Sequence, residues 1–457
     1  MKLSIIGLGR LGAPMAAVLA DSGHQVIGVD VKPDVVRALN EGRAPVPEPH
    51  LADYIARNRD RLTATMNIEE AVESTDITFI IVPTPSNSDG TFSLRYVLEA
   101  AEPIGRALRR KQGFHLVVLS STVMPGATGG FLAPALEEHS GKKCGGDFGL
   151  CYNPEFIALG NVIHDMLHPD LVLIGEGDER SGSLLADLHA TVCKNIPQVR
   201  RMNFINAEIT KLSVNTFVTT KISYANMLAE LCEALEGADV SVVTSALGAD
   251  TRIGKKYLMG ALGYGGPCFP RDNQAFAALG REQRVQTWLA DATDEINRRQ
   301  TERLAGRLMA RLPEGGAIGI LGLAYKPDTC VVEQSQGLLL ASRLVEMGVQ
   351  VVVYDPEAVK NAEAALGNQV TYASSMEDCA RQVQVLAVTT PWKQFEGLRP
   401  HHLDSSAGRV TVMDCWRILP KDLFETETDY LLIGAPEPSQ PGRSLREEAA
   451  LASTAEP

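Results

Sequence analysis

Leu3-Ser4-Ile5-Ile6-Gly7-Leu8-Gly9-Arg10-Leu11-Gly12, followed by Gln25-Val26-Ile27-Gly28-Val29-Asp30, is the stretch on which the architecture turns. Residues 3–6 form an apolar run of strand type, and helix-compatible sequence continues through Leu19-Ala20. A second short apolar run then closes on an acid. This order, strand, glycine turn, helix and strand, is the setting in which a Gly-x-Gly-x-x-Gly string acts as a dinucleotide fingerprint. Gly7, Gly9 and Gly12 permit a tight turn and close backbone approach. A pyrophosphate can then sit on the helix N-terminus, with Arg10 and Leu11 in the same turn. Asp30 ends the second strand, where a carboxylate accepts hydrogen bonds from a ribose diol and repels a 2′-phosphate. The motif therefore favours NAD over NADP. A tight strand–helix connection that binds nothing is the alternative.

The pattern recurs. Ala317-Ile318-Gly319-Ile320-Leu321-Gly322-Leu323-Ala324 resembles the first opening, and Gly348-Val349-Gln350-Val351-Val352-Val353-Tyr354-Asp355 echoes the first closing run. Two nucleotide ligands would fit two such units; the alternative is a packing domain with a decayed site. Further strands are predicted at 77–82 and 116–120, ending near Thr84 and Ser121-Thr122, where an open parallel sheet presents its ligand crevice. Residues 203–236 contain neither Gly nor Pro, and Gly237 supplies a stop. A continuous helix there would run about 50 Å at 1.5 Å per residue and would serve as a domain connector or dimer core. A second helical stretch over 288–312 is expected to pack on it. The fold expected is α/β, two Rossmann-like doubly wound domains joined by a long central helix. The boundaries are 1–202, 203–312, 313–432 and a flexible tail from 433.

The 457-residue chain is 45% apolar, and its 43 basic and 56 acidic residues give a formal charge of −13. Such a balance disfavours nucleic acid as a partner, and a phosphorylated ligand would need a local cationic pocket. No apolar run reaches the roughly 18 residues that span a bilayer, so no membrane partner is expected. The opening residues are too short and glycine-interrupted for a secretory signal. Eight scattered cysteines show neither a CxxC pair nor zinc spacing, which suggests reduced thiols in a cytoplasmic protein without a bound metal. Most are expected to be small buried hydrophobes.

Two segments carry candidate chemistry. In Gly263-Tyr264-Gly265-Gly266-Pro267-Cys268-Phe269-Pro270-Arg271-Asp272, glycines let the backbone approach a ligand and prolines hold the loop. Cys268, with Arg271 near in sequence, can act as a nucleophile, and Asp272 as a proton acceptor. A buried thiol in a tight turn is the alternative. Lys211 and Asn215 stand at i and i+4 on one face of the long helix, where they can stabilise an oxyanion. A solvated helix face would show the same spacing.

Together these residues resemble the nucleotide-sugar 6-dehydrogenases, the family that includes UDP-glucose and GDP-mannose 6-dehydrogenases. The resemblance runs to about residue 430. It rests on GLGRLG with Asp30, VPTP at 82–85, SSTV at 120–123, NPEF at 153–156 and EITKLSVNTF at 208–217. RIGKKYL at 252–258, GYGGPCFPRD at 263–272 and GLAYKPDT at 322–329 complete it. It implies a four-electron oxidation of a sugar C6 alcohol to a carboxylate by two NAD in succession, in a homodimer or higher homo-oligomer built on the long helix. It further implies Cys268 as nucleophile, through a thiohemiacetal and a thioester, and Lys211 and Asn215 as oxyanion stabilisers. Asp272 would be a base, and Thr122 and Glu155 would position water and cofactor, Glu155 also as the base in hydrolysis. Thr84 and Arg271 fall on the cofactor side. Phe156, Ile157, Tyr257 and Gly265 match substrate-contacting positions. Arg252 would reach a neighbouring subunit's substrate, and Lys326 the diphosphate or sugar.

Three departures stand out. Glu333 occupies the place of an arginine expected at a cofactor phosphate, Val35 replaces an often basic residue near the adenosine, and Ile157-Ala158-Leu159-Gly160 lacks a charged residue common in UDP-glucose enzymes. UDP-glucose is the expected substrate, with GDP-mannose or another nucleotide hexose as the alternative. A non-catalytic NAD-binding sensor is the alternative from a different class.

Overall fold

The computed structural model describes residues 1–406 and 408–437. The chain divides into two compact units. Met1–Thr216 with Arg271–Thr287 form the first, and Phe217–Pro270 with the described residues from Trp288 on form the second. The segment 203–312, read from the sequence as a central domain, is thus shared between the two.

In the first unit, eight strands are β1 (Lys2–Ile6), β2 (Gln25–Val29), β3 (Leu62–Thr65), β4 (Ile77–Ile80), β5 (Leu116–Leu119), β6 (Gly149–Tyr152), β7 (Leu171–Glu176) and β8 (Gln198–Met202). Their order is β3-β2-β1-β4-β5-β6-β7-β8. All neighbours are parallel except β6 and β7, which run antiparallel. The two faces of β5 show how the core is built. Leu116 and Val118 join one apolar cluster, while Val117 and Leu119 join another on the opposite face. A strand covered on both faces must be apolar at every position, which explains the unbroken runs in the sequence. The order reverses between β1 and β4, the switch point at which open α/β sheets bind ligands.

The second unit repeats this plan. Strands β9 (Ala317–Leu321), β10 (Gln350–Tyr354), β11 (Thr371–Tyr372), β12 (Val385–Val388), β13 (Thr411–Asp414) and β14 (Asp429–Leu432) are parallel, in the order β11-β10-β9-β12-β13-β14. The two openings also match in detail. Gly7 N–H donates to Val29 O at 2.8 Å and Gly322 N–H to Tyr354 O at 2.8 Å. A Cβ on Gly12 would lie 1.8 Å from Gly7 O, and one on Gly337 would lie 2.1 Å from Gly322 O.

The long helix spans Phe204–Glu233, three residues short of the predicted end. The helix Trp288–Met309 packs on its second-unit portion as expected. Gln300 Nε2 donates to Glu230 at 2.8 Å, and Arg307 pairs with Glu233 at 2.8 Å. Where a loop was expected beyond Cys268, a helix runs from Phe269 to Glu282. Pro270 is compatible with it because the first-turn N–H groups have no helical partner. The stretch read as a tail begins in the packed structure. Ile433 is 1% exposed and Gly434 N–H donates to Glu233 at 2.8 Å, while residues 438–457 lie outside the described residues. Among the described residues no helix is long and apolar enough to cross a membrane, and no group of His, Cys, Asp and Glu would hold a metal ion.

Candidate active site

The glycine turn of the first unit divides its labour among three positions. Gly7 has φ +98°, and a Cβ there would lie 2.2 Å from Ile81 O at the neighbouring strand end. Gly12 is held close by Gly7 O, so the helix Gly12–Asp21 packs tightly against the turn. A Cβ on Gly9 would meet nothing within 4 Å. The middle glycine therefore leaves open the space before the helix N-terminus, where a pyrophosphate would be held by backbone N–H groups. Gly9 and Arg10 are exposed, and Leu11 is half-buried. Asp30 Oδ2 accepts from Leu8 N–H at 2.9 Å and Oδ1 from Lys32 N–H at 2.9 Å, which fixes the carboxylate with acceptor capacity remaining for a ribose diol. This donor set fits NAD.

The acid of the second unit is used differently. Asp355 is 1% exposed. It accepts from Leu323, Ala324, Glu357 and Ala358 N–H groups and from the Trp392 indole, at 2.7–3.1 Å. It serves the fold.

Lys211 and Asn215 are 7% and 8% exposed, so the solvated-face alternative is set aside. Lys211 Nζ donates to Glu155 O at 2.8 Å and lies 4.6 Å from the centre of the Phe156 ring. Asn215 Nδ2 donates to Asp272 Oδ2 at 2.6 Å. Asp272 is 2% exposed, and its other oxygen has no hydrogen-bond partner. Arg271 Nη1 donates to Thr84 O at 2.9 Å, with the guanidinium stacked 4.2 Å from the Phe92 ring. Thr84 Oγ1 in turn donates to Thr122 O at 2.7 Å. The first unit thus gathers Thr84, Thr122, Glu155, Phe156, Lys211, Asn215, Arg271 and Asp272 around the carboxyl ends of its central strands. Ile157 is half-buried against the apolar core beside them.

The half-buried Glu155 carboxyl is pushed up to about 7 by burial, with Lys211 pulling it down. Its side chain lines a small cavity with Met15, Asn153, Met166 and His189. His189 Nε2–H donates to Asn153 Oδ1 at 2.9 Å, and Asn153 Nδ2 donates to Leu173 O at 2.9 Å, anchoring the residue that opens the Asn153-Pro154-Glu155-Phe156 turn.

Cys268, Gly265, Tyr257, Arg252 and Lys326 belong to the second unit. Cys268 is exposed, whereas Cys151, Cys232, Cys379 and Cys415 are buried and Cys144, Cys193 and Cys330 intermediate. It stands immediately before the helix Phe269–Glu282. The thiol is therefore accessible at the start of that helix. Gly265 is required, since a Cβ would lie 2.2 Å from Gln334 O. Tyr257 is 51% exposed with φ +63°, its ring edge-on to Phe269. Arg252 is exposed and paired with Asp250 at 2.6 Å, and Lys326 is half-buried. Glu333, the charge-reversed position, has an exposed side chain and contributes its main-chain oxygen, which accepts from Gly266 N–H at 3.0 Å.

Sequence reasoning missed Glu208. Its buried carboxylate accepts from Gly126 N–H at 2.6 Å and Thr128 N–H at 2.8 Å, tying the loop after Thr122 to the helix of Lys211. The available signal was an acid one turn before Lys211 on the same helix face.

Models of the UDP-glucose/GDP-mannose dehydrogenase family match the chain in three parts: the NAD binding domain over 1–193, the central domain over 205–299 and the UDP binding domain over 319–421. UDP-glucose 6-dehydrogenase AglM of Haloferax volcanii is 38% identical over 425 residues, 92% of this chain and 98% of that protein. TuaD of Bacillus subtilis, also a UDP-glucose 6-dehydrogenase, is 33% identical over 466 residues, 98% of each. Among solved structures, a UDP-glucose dehydrogenase from Pyrobaculum islandicum superposes with a TM-score of 0.86 at 37% identity, covering 95% of this chain and 98% of that one. Fold and site define an NAD-dependent oxidoreductase. The chain belongs to the UDP-glucose/GDP-mannose dehydrogenase family.

Proposed function

We propose that the protein oxidises the C6 alcohol of a nucleotide hexose to the carboxylate, with UDP-glucose giving UDP-glucuronate as the reaction. The observation that carries this is the exposed Cys268 at a helix start, in a chain that also buries Lys211, Asn215 and Asp272 together with an NAD fingerprint. NAD supplies a hydride acceptor for each of two oxidations. Alcohol to aldehyde releases one hydride and one proton, the proton leaving the C6 hydroxyl towards Asp272 through an ordered water. The Cys268 thiolate then adds to the aldehyde carbon. Lys211 and Asn215 hold the resulting oxyanion. Loss of the second hydride leaves a thioester, and water activated by Glu155 displaces the sulfur. One water is consumed and two NADH form per sugar.

Thr122 and Thr84 hold the loops beside the cofactor, with Arg271 on its phosphate side. Phe156, Ile157, Tyr257, Gly265 and Lys326 line the nucleotide-sugar site, and Arg252 serves a neighbouring subunit's site. The three matched spans support the division 1–202, 203–312 and 313–432 as dinucleotide, central and nucleotide-sugar parts. Exposed Phe217, Tyr224 and Leu231, one heptad apart on the long helix, support a homodimer formed along it. A cytoplasmic location fits reduced thiols and a soluble nicotinamide cofactor. The test is NADH formation with a panel of nucleotide sugars. Two NADH per UDP-glucose supports the reading, and turnover of GDP-mannose alone, a second reading favoured by a GDP-mannose 6-dehydrogenase of Azotobacter vinelandii at 33% identity, would change the substrate.

A further inference from the structure

The loop that carries Cys268 is strung between amide side chains. Ala261 N–H donates to Asn226 Oδ1 at 3.0 Å and Asn226 Nδ2 donates to Leu262 O at 3.0 Å. Two residues on, the arrangement repeats. Tyr264 N–H donates to Asn297 Oδ1 at 2.7 Å and Asn297 Nδ2 donates to Tyr264 O at 3.1 Å. A second donor reaches the same oxygen, Gln336 Nε2 at 3.0 Å, and Tyr264 Oη–H donates to Asp294. Tyr264 is 3% exposed, so these groups have no water to fall back on.

The chain between Tyr264 and the sulfur has little freedom of its own. A Cβ on Gly263 would lie 2.2 Å from Asn297 Oδ1, and one on Gly266, at φ +83°, would lie 2.6 Å from the Tyr325 ring. Gly266 N–H is held by Glu333 O, and Pro267 fixes φ immediately before Cys268. Whatever fixes the Tyr264 peptide therefore fixes the register of the thiol four residues later.

We propose that Asn297 is a positioning residue for Cys268, holding the loop so that the thiol captures the half-oxidised sugar before it leaves. Asn297 acts through the Tyr264 backbone. The proposal rests on the four-electron reading above, and its test separates the two. The full-length protein, Asn297→Leu and Asn297→Asp are supplied with NAD and UDP-glucose. NADH per sugar is counted while free aldehyde is trapped with a hydrazide.

The parent protein is expected to give two NADH and no trapped aldehyde. Asn297→Leu is expected to fall towards one NADH with aldehyde accumulating, as the capture step slows by about a hundredfold for a displacement near 1 Å. A mere loss of folded protein would lower the rate and leave the ratio at two. Asn297→Asp carries a signature of its own. Its carboxylate still accepts from Tyr264 N–H but repels Tyr264 O, to which the amide donated. Its ratio is therefore expected to fall between the parent's and that of Asn297→Leu, since one of the two bonds to Tyr264 is kept. Retention of two NADH per sugar by both variants overturns the proposal.

Should Asn297→Leu not fold, Asn297→Ser is read in its place. Alkylation of Cys268 by iodoacetamide, followed on its own peptide, is independent of turnover and is expected to slow about tenfold in the variants. If the parent turns over no nucleotide sugar, the four-electron reading fails, and an unchanged alkylation rate would then overturn the loop assignment as well.

Discussion

The Lys211 ammonium rests 2.8 Å from the main-chain oxygen of Glu155, beneath the Phe156 ring. Its hydrogen-bond partner is a peptide carbonyl, which holds the cation in place, as an oxyanion stabiliser requires. Replacing Lys211 by Met is expected to lower kcat by about 10²–10³-fold, the loss found when one oxyanion donor is removed. Lys211→Arg is expected to restore little, because a planar guanidinium cannot occupy the position of a compact ammonium. Steady-state kinetics with NADH detection reads both variants; near-parental kcat in Lys211→Met would remove this residue from the chemistry.

The carboxyl at Glu155 titrates at about 7 because burial disfavours its charge. A base in thioester hydrolysis works as the carboxylate, so the hydrolytic step is expected to accelerate as pH rises through about 7, and Glu155→Gln to erase that limb. The same shift bears on stability with a definite sign. Below pH 4.5 both states hold the proton and there is no penalty; as pH rises towards 7 the unfolded chain ionises while the folded one resists, and stability is lost. Glu155→Gln is therefore expected to gain up to about 3 kcal/mol over the parent at pH 8, and none near pH 4, in urea melts at the two pH values.

Much of the architecture was legible because apolar runs bounded by glycine have one use in a doubly wound sheet, and both sheets begin with the same glycine geometry. The reversal of β7 was not legible, since a run such as Leu171-Val172-Leu173-Ile174 reads the same in either direction. The helix after Cys268 was hidden by Pro270, which marks a loop and a first helical turn equally well. In the candidate site, the motif residues were readable and their supports were not. Glu208 grips N–H groups about 80 residues away, and Asn297 one 33 residues away, and side-chain pattern does not say which distant backbone a buried polar group will hold. At Glu333 the packed contribution is the carbonyl, while the charge-reversed side chain stays exposed.

The glycines of the fingerprint should part company under substitution. Gly9→Ala adds a Cβ that meets no protein atom within 4 Å, so its thermal midpoint is expected to match the parent's. The methyl occupies the space a pyrophosphate needs, and NAD affinity is expected to fall about tenfold, roughly 1.4 kcal/mol. Gly12→Ala instead drives a Cβ to 1.8 Å from Gly7 O and is expected to lose about 1–3 kcal/mol of stability or more. Calorimetry for binding and thermal melts for stability distinguish the two. Equal behaviour of both variants would contradict the division of roles among the three glycines.

A buried imidazole on the far side of the same sheet sets an acid limit. His115 is fully buried, with Nε2 2.8 Å from Thr78 Oγ1 and Nδ1 3.0 Å from Thr75 O, and Ser4 bridges both threonines. Burial holds its pKa down to about 3, with Lys111 adding to the depression. The unfolded chain takes up this proton below about 6.5 and the folded one resists until about 3, so stability is intact above 6.5 and drains away as pH falls through that window. The loss reaches up to about 5 kcal/mol at its acid end. His115→Gln keeps an amide donor and acceptor but has no proton to gain. It is expected to cost stability at pH 7 and to flatten the slope of urea-unfolding free energy between pH 6.5 and 4. An unchanged slope in the variant would mean that other groups, and not this imidazole, govern the acid side of the stability curve.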